Sequence, residues 1–215
     1  MRVPTRNDSG FSLTEMVVVV VLLGVVLAAA WMVMSAVSSM SNSLSARATA
    51  TDEADSFISA AGTELRQAAS LKSLAGTETA NADAQTAFYD IRPRQIGFYV
   101  DVDHDGRPER VAYFVSGTRL MRQQADATNG TYPYSWAASS TAQAVIQVID
   151  AHWTGPVFSY YTNDDWPPTE ITDLSQVASI TAVTIQMRNI KTWADEPASY
   201  GASDTVRVRA IGNGF

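Results

Sequence analysis

The sequence predicts an α+β protein: one long N-terminal helix, with a transmembrane half and an amphipathic half, packed on a C-terminal antiparallel β-sheet. Three observations carry this. First, Met16 to Met34 is a run of nineteen residues with no charge, no proline and a single glycine, Gly24. At the helical rise of about 1.5 Å per residue it spans roughly 28 Å, the thickness of a bilayer's hydrocarbon core. Second, apolar residues continue past Met34 at intervals of three and four. Third, the period changes after residue 90 to short β-type runs without β-α-β spacing, which makes the sheet antiparallel.

The bulk numbers set limits on function. The chain has 215 residues, 46% hydrophobic and 17% charged, enough apolar material for a packed core. Its formal net charge of -7 and pI near 4.7 leave no concentrated basic surface for nucleic acid. Without cysteine there is no disulfide framework, thiol nucleophile or zinc-thiolate site.

The first forty residues admit three readings. A secretory signal would use Arg2 and Arg6 as its basic region and Ala28-Ala29-Ala30 as its cleavage site. Against it, the apolar run continues through Trp31, Met32, Val33 and Met34, and an acid, Glu15, heads the run. A plain single-pass anchor would place the N-terminus in the cytoplasm, because Arg2 and Arg6 precede the span. That reading leaves Glu15 unexplained, and an acid within a span is a functional residue by default.

The third reading accounts for all of these features. Gly10-Phe11-Ser12-Leu13-Thr14-Glu15-Met16 followed by the apolar run resembles the class III signal of type IV prepilins. The resemblance implies a leader of residues 1–10, cleavage by a prepilin peptidase between Gly10 and Phe11, and N-methylation of Phe11. It also implies an assembly role for Glu15, the fifth mature residue. The physics agrees: the new amine lies four residues before Glu15, and the carboxylate of one subunit can pair with the amine of its neighbour. In low dielectric that pair is attractive, while either charge alone is penalised. Many major pilins carry a proline midway along this helix; none occurs here between Pro4 and Pro93. The resemblance further implies other pilins or pseudopilins, a membrane platform protein and an assembly ATPase as partners, and a head outside the membrane.

After the span, Val37, Met40, Leu44, Ala48, Thr51, Ala54, Ile58, Ala61, Leu65 and Ala68 form a narrow stripe on a polar helix. One helix is expected from about Phe11 to about Leu74, ending near Gly76. Its stretch from Val37 to Ala48 is expected to face other subunits, and its later part the core. The organisation is then 1–10 leader, 11–37 transmembrane and assembly helix, 38–75 amphipathic continuation and 76–215 β-rich head. Residues 76–87 read as a polar loop. Strands are expected at 96–100, 111–115, around 120–122, and at 144–149, 157–161, 180–188 and 205–210, with a turn at Gly117-Thr118. The phrases IGFYVDVDHDGRPERVAYFVSGTRLMRQ and FSYYTND, with the late paired strands, resemble the larger minor pilins and the J-type pseudopilins of type II secretion.

Asp101-Val102-Asp103-His104-Asp105-Gly106 has the alternating acids of a calcium loop, with Glu109 at position nine. Position twelve is Ala112 and the flanks are strands, so this is not an EF-hand. The candidate ligands for Ca²⁺ are Asp101, Asp103, Asp105 and Glu109; the alternative is a solvated acidic turn, with His104 solvated in either case. No catalytic constellation emerges: His104 and His152 lack HExxH spacing, and there is no GxSxG or GxxxxGK segment. The aromatic, proline-stiffened stretch from Tyr160 to Pro168 reads as a loop that caps the core, the alternative being one that touches a partner subunit or an external ligand. The functional expectation is a non-enzymatic minor pilin of a type IV pilus or related filament. The alternatives are a type II secretion pseudopilin, or a membrane-anchored adhesin or binding module that never polymerises.

Overall fold

The computed structural model describes residues 12–71, 74, 86–146, 153–162, 169–171, 174–193 and 196–208. The chain divides into two compact units, Met1–Ser45 and Ala46–Phe215. A 55-residue helix, α1 (Leu13–Gln67), contributes to both.

In the first unit, every large apolar side chain from Leu13 to Leu44 is exposed in the lone chain, Trp31 at 74%. The helix is long and apolar enough to cross a membrane.

In the second unit, α1 buries Ala50, Ala54, Phe57, Ile58, Ala61, Gly62 and Leu65. Ala54, Ile58, Ala61 and Leu65 are the expected core stripe, but Thr51 is exposed and Phe57 takes a core place. α1 breaks at Gln67, where Ala69 N–H donates to the carbonyl of Tyr99 at 3.0 Å, and helical residues recur at Leu71 and at the expected Leu74, whose N–H donates to the Ser70 carbonyl at 3.0 Å. Gly76 and most of the 76–87 loop lie outside the described residues.

The head carries two antiparallel sheets instead of one. The first has the order β1 (Phe88–Arg92), β2 (Gln95–Val100), β3 (Glu109–Ser116), β4 (Arg119–Asp126), β5 (Gln143–Ile146). The second has the order β7 (Thr169–Ile171), β6 (Phe158–Thr162), β8 (Ile180–Trp193), β9 (Glu196–Arg207), with a 3-10 turn at Leu174–Ser179. The expected turn at Gly117-Thr118 is present: Ser116 pairs with Arg119, and Gly117 has φ 60°, the left-handed geometry that a two-residue hairpin loop requires. The 144–149 strand is β5, whose described part ends at Ile146. The expected loop from Tyr160 begins as strand, since Tyr160–Thr162 belong to β6; residues 163–168 lie outside the described residues.

Both sheets and the later part of α1 close on one core, which includes Phe57, Leu65, Phe98, Tyr113, Leu120, Phe158 and Ile185. Polar contacts fix its edges. Glu64 on α1 accepts from the Tyr113 hydroxyl at 2.7 Å and from Arg122 Nη2 at 2.8 Å, tying the helix to β3 and β4. Pro93 O accepts from Val157 N and Phe158 N at 2.7 and 3.0 Å, joining the β1–β2 turn to the start of β6.

Candidate functional site

Two places carry the sequence-derived site residues. At the N-terminus, Gly10 and Phe11 lie outside the described residues, while Glu15 is described in the first turn of α1. Its carboxylate is engaged locally: Ser12 N–H donates to Glu15 Oε2 at 3.0 Å, and Glu15 N–H donates to Ser12 Oγ at 3.2 Å. This is a reciprocal capping box, in which two otherwise unpaired amides at a helix start are satisfied. The sequence signal for it is the S-x-x-E spacing of Ser12 and Glu15. The negative charge also sits at the positive end of the helix dipole. An acid at the head of an apolar run is therefore tolerable in the lone chain.

The second place is the β2–β3 hairpin. Carboxylate oxygens of Asp101, Asp103, Asp105 and Glu109 lie within 4.8 Å of one another, so the structure brings all four candidate ligands together. The loop is wound by its own acids: Asp105 N–H donates to Asp103 Oδ1, Gly106 N–H to Asp101 Oδ2 and Arg107 N–H to Asp105 Oδ1, at 3.1, 3.1 and 2.8 Å. His104 and Gly106 take left-handed φ values of 59° and 84°. His104 stays outside the four-acid group and is exposed.

Glu109 differs from the three aspartates. It is 3% exposed, and Val102 N–H donates to its Oε2 at 2.6 Å. Burial pushes its carboxyl up to about 7; the Val102 amide opposes the shift, and Asp103, Asp101 and Asp126 add to it. Asp126 was missing from the sequence-level site. The β3–β4 register places it directly opposite Glu109, an unfavourable pairing of like charges. Asp101 Oδ1 is buried and has no hydrogen-bond partner among the described residues. The donor set is all oxygen, the chemistry of a hard cation such as Ca²⁺.

Residues 5–31 match the family model described as the prokaryotic N-terminal methylation motif. The chain carries the type IV pilin class III signal. The match takes in Gly10, Phe11, Glu15 and most of the uncharged run, and the pilin-type motif implies processing by prepilin peptidase and assembly with other pilins. No curated protein and no solved structure matches the chain.

Proposed function

We propose that the chain is a minor pilin, a structural subunit of a type IV pilus or related filament, cut between Gly10 and Phe11, N-methylated on Phe11 and assembled through α1. The observation that carries this reading is the methylation motif at 5–31, heading a helix whose apolar side chains from Leu13 to Leu44 are all exposed in the lone chain. Such a surface needs lipid while the subunit waits and neighbouring helices once it is assembled. The N-terminus is cytoplasmic before cleavage and the head lies outside, with the platform protein and assembly ATPase as machinery. A type II secretion pseudopilin shares each of these features and is the second reading. An anchored adhesin that never polymerises would use Glu15 only to cap the start of α1, so the effect of replacing Glu15 on filament entry separates the two readings.

Two measurements test the reading. Mass spectrometry of the mature protein should find N-methylated Phe11 as its first residue; a terminus at Trp31 would return the segment to the secretory-signal class. Glu15→Ala should still insert and be cut, yet enter sheared filaments poorly or out of register. Normal incorporation removes the assembly role from Glu15.

The acidic hairpin fits Ca²⁺ as a strand clamp, held by Asp101, Asp103, Asp105 and Glu109. The buried, unpartnered Asp101 Oδ1 beside three further acids favours this over a solvated turn. Binding to the folded state alone stabilises it by about 2.7 kcal/mol at a hundredfold excess over Kd. The full chain in detergent should melt higher in millimolar calcium than in EDTA, and Asp103→Ala should remove the difference. Equal melting of the native chain in both buffers makes the hairpin an ordinary acidic turn.

A further inference from the structure

Arg110 is half-buried, and its guanidinium has no protein acceptor among the described residues. Five other described arginines find one. Arg66, Arg92, Arg107 and Arg122 reach carboxylates at 3.9, 3.0, 3.4 and 2.8 Å, and Arg94 donates to the Trp153 carbonyl at 3.0 Å. Arg110 Nε is buried without an acceptor. What surrounds it is aromatic: Cζ lies 4.3 Å from the centroid of Trp136, 5.4 Å from Tyr89 and 5.7 Å from Tyr99.

These rings are held in place. Tyr89 donates its hydroxyl to the Val111 carbonyl at 3.2 Å, and its ring covers Gly97 so closely that a Cβ there would come within 2.6 Å. Tyr99, cross-strand partner of Arg110, stacks on Trp136 at 5.7 Å with 25° between planes. Tyr134 continues the row 6.1 Å beyond Trp136, and Tyr132 follows at a further 6.1 Å. Buried Tyr99 forms the floor, while Tyr89, Tyr132, Tyr134 and Trp136 remain partly exposed. Ring faces stabilise the cation's charge but leave its N–H donors unfilled. Tyr, Trp and Arg together are the composition of binding hot spots, and the guanidinium fork matches a carboxylate.

We propose that Arg110, Tyr89, Tyr134 and Trp136 form a binding site for a carboxylate-bearing sugar, a uronate in chemical class. The terminal nitrogens of Arg110 take the carboxylate, and the sugar ring lies against the aromatic row. This site is separate from the N-terminal signal and stands or falls independently of the pilin reading.

The test titrates the full chain in detergent with glucuronate, glucose, acetate and poly-glutamate, following the Trp136 indole N–H resonance, assigned with Trp136→Phe. Glucuronate should bind at least about tenfold more tightly than glucose or acetate, the scale of a charged hydrogen bond. Arg110→Gln, checked for its fold by circular dichroism, should reduce glucuronate to the level of glucose. The comparison of ligands on the native chain decides even if that variant fails to fold. Equal binding of glucuronate, glucose and acetate, or unchanged glucuronate binding by Arg110→Gln, overturns the proposal. Binding of poly-glutamate without glucuronate also overturns it, in favour of an acidic protein partner.

Discussion

Glu15 and Glu109 are both acids set where charge is costly, and the chain handles them differently. Glu15 is satisfied by the Ser12 amide and the helix end, and remains exposed. Glu109 is buried with one amide donor among four nearby acids; burial, with Asp103, Asp101 and Asp126 adding to it, holds its proton to about 7. Replacing it with Gln keeps an acceptor for Val102 N–H and removes the repulsion. In EDTA at pH 8, Glu109→Gln should therefore be more stable than the native chain by on the order of 1–2 kcal/mol, a rise of a few degrees in Tm. In millimolar calcium the order should reverse, because the variant lacks a ligand charge that the native site uses. A variant that melts below the native chain in EDTA would show that the carboxylate is needed for packing alone. Ser12 is testable at the same scale: Ser12→Ala removes the capping hydroxyl and should cost the helix start about 1 kcal/mol, read as faster amide exchange at Glu15. Unchanged exchange would show that the capping box is not formed in solution.

Between elements, α1 changes what it packs against along its length. Leu65, fully buried, faces the sheets, whereas Leu44 is exposed. Leu65→Ala should lower head stability by about 2–5 kcal/mol in thermal melts, and Leu44→Ala should leave it within about 0.5 kcal/mol. Incorporation into filaments should respond in the opposite way, since Leu44 belongs to the stretch assigned to subunit contacts. If Leu44→Ala lowers the melting temperature as much as Leu65→Ala, α1 is core throughout.

These contrasts also show what the sequence made legible. Helical spacing and an uncharged run are local signals, so α1 and the membrane segment could be read directly. Alternating Asp residues in a short loop converge by geometry alone, and the structure gathers all four expected ligands. β1 escaped because a register shift between Phe88 and Asp90 breaks the period of two. The first half of β9 escaped because Pro197 and Gly201 are poor strand residues; an edge strand tolerates them, with β8 supplying the register. Asp126 and the ring cluster around Arg110 are products of strand pairing and loop return. Those partners lie 11 to 26 residues apart, and no local pattern announces them.

At the scale of the whole head, two sheets share one core, and a buried hydroxyl fastens one to the other. Tyr160 on β6 lies 2.8 Å from the Gln95 carbonyl and 3.0 Å from that of Arg92, either of which can accept its proton, and it accepts from Arg92 N–H at 3.3 Å. Tyr160→Phe leaves that amide without its partner and should cost about 1–3 kcal/mol. Burial raises the proton affinity of Tyr160, as it does for Tyr113, and it holds Tyr89 up at about 12. An unfolded tyrosine ionises near pH 10. Above that pH the folded head keeps protons that the unfolded chain has released. The stability contributed by these groups is complete below about pH 10 and is lost as the pH climbs through the folded values. Tyrosinate absorbance followed with far-ultraviolet circular dichroism should show the most buried tyrosines ionising only as the β-signal collapses. Tyr160→Phe should start from lower stability at pH 8 but lose it less steeply in alkali, having one proton fewer to release. Complete ionisation of all eight tyrosines by pH 11 with the β-signal intact would place Tyr160 in solvent and dissolve the junction between the sheets.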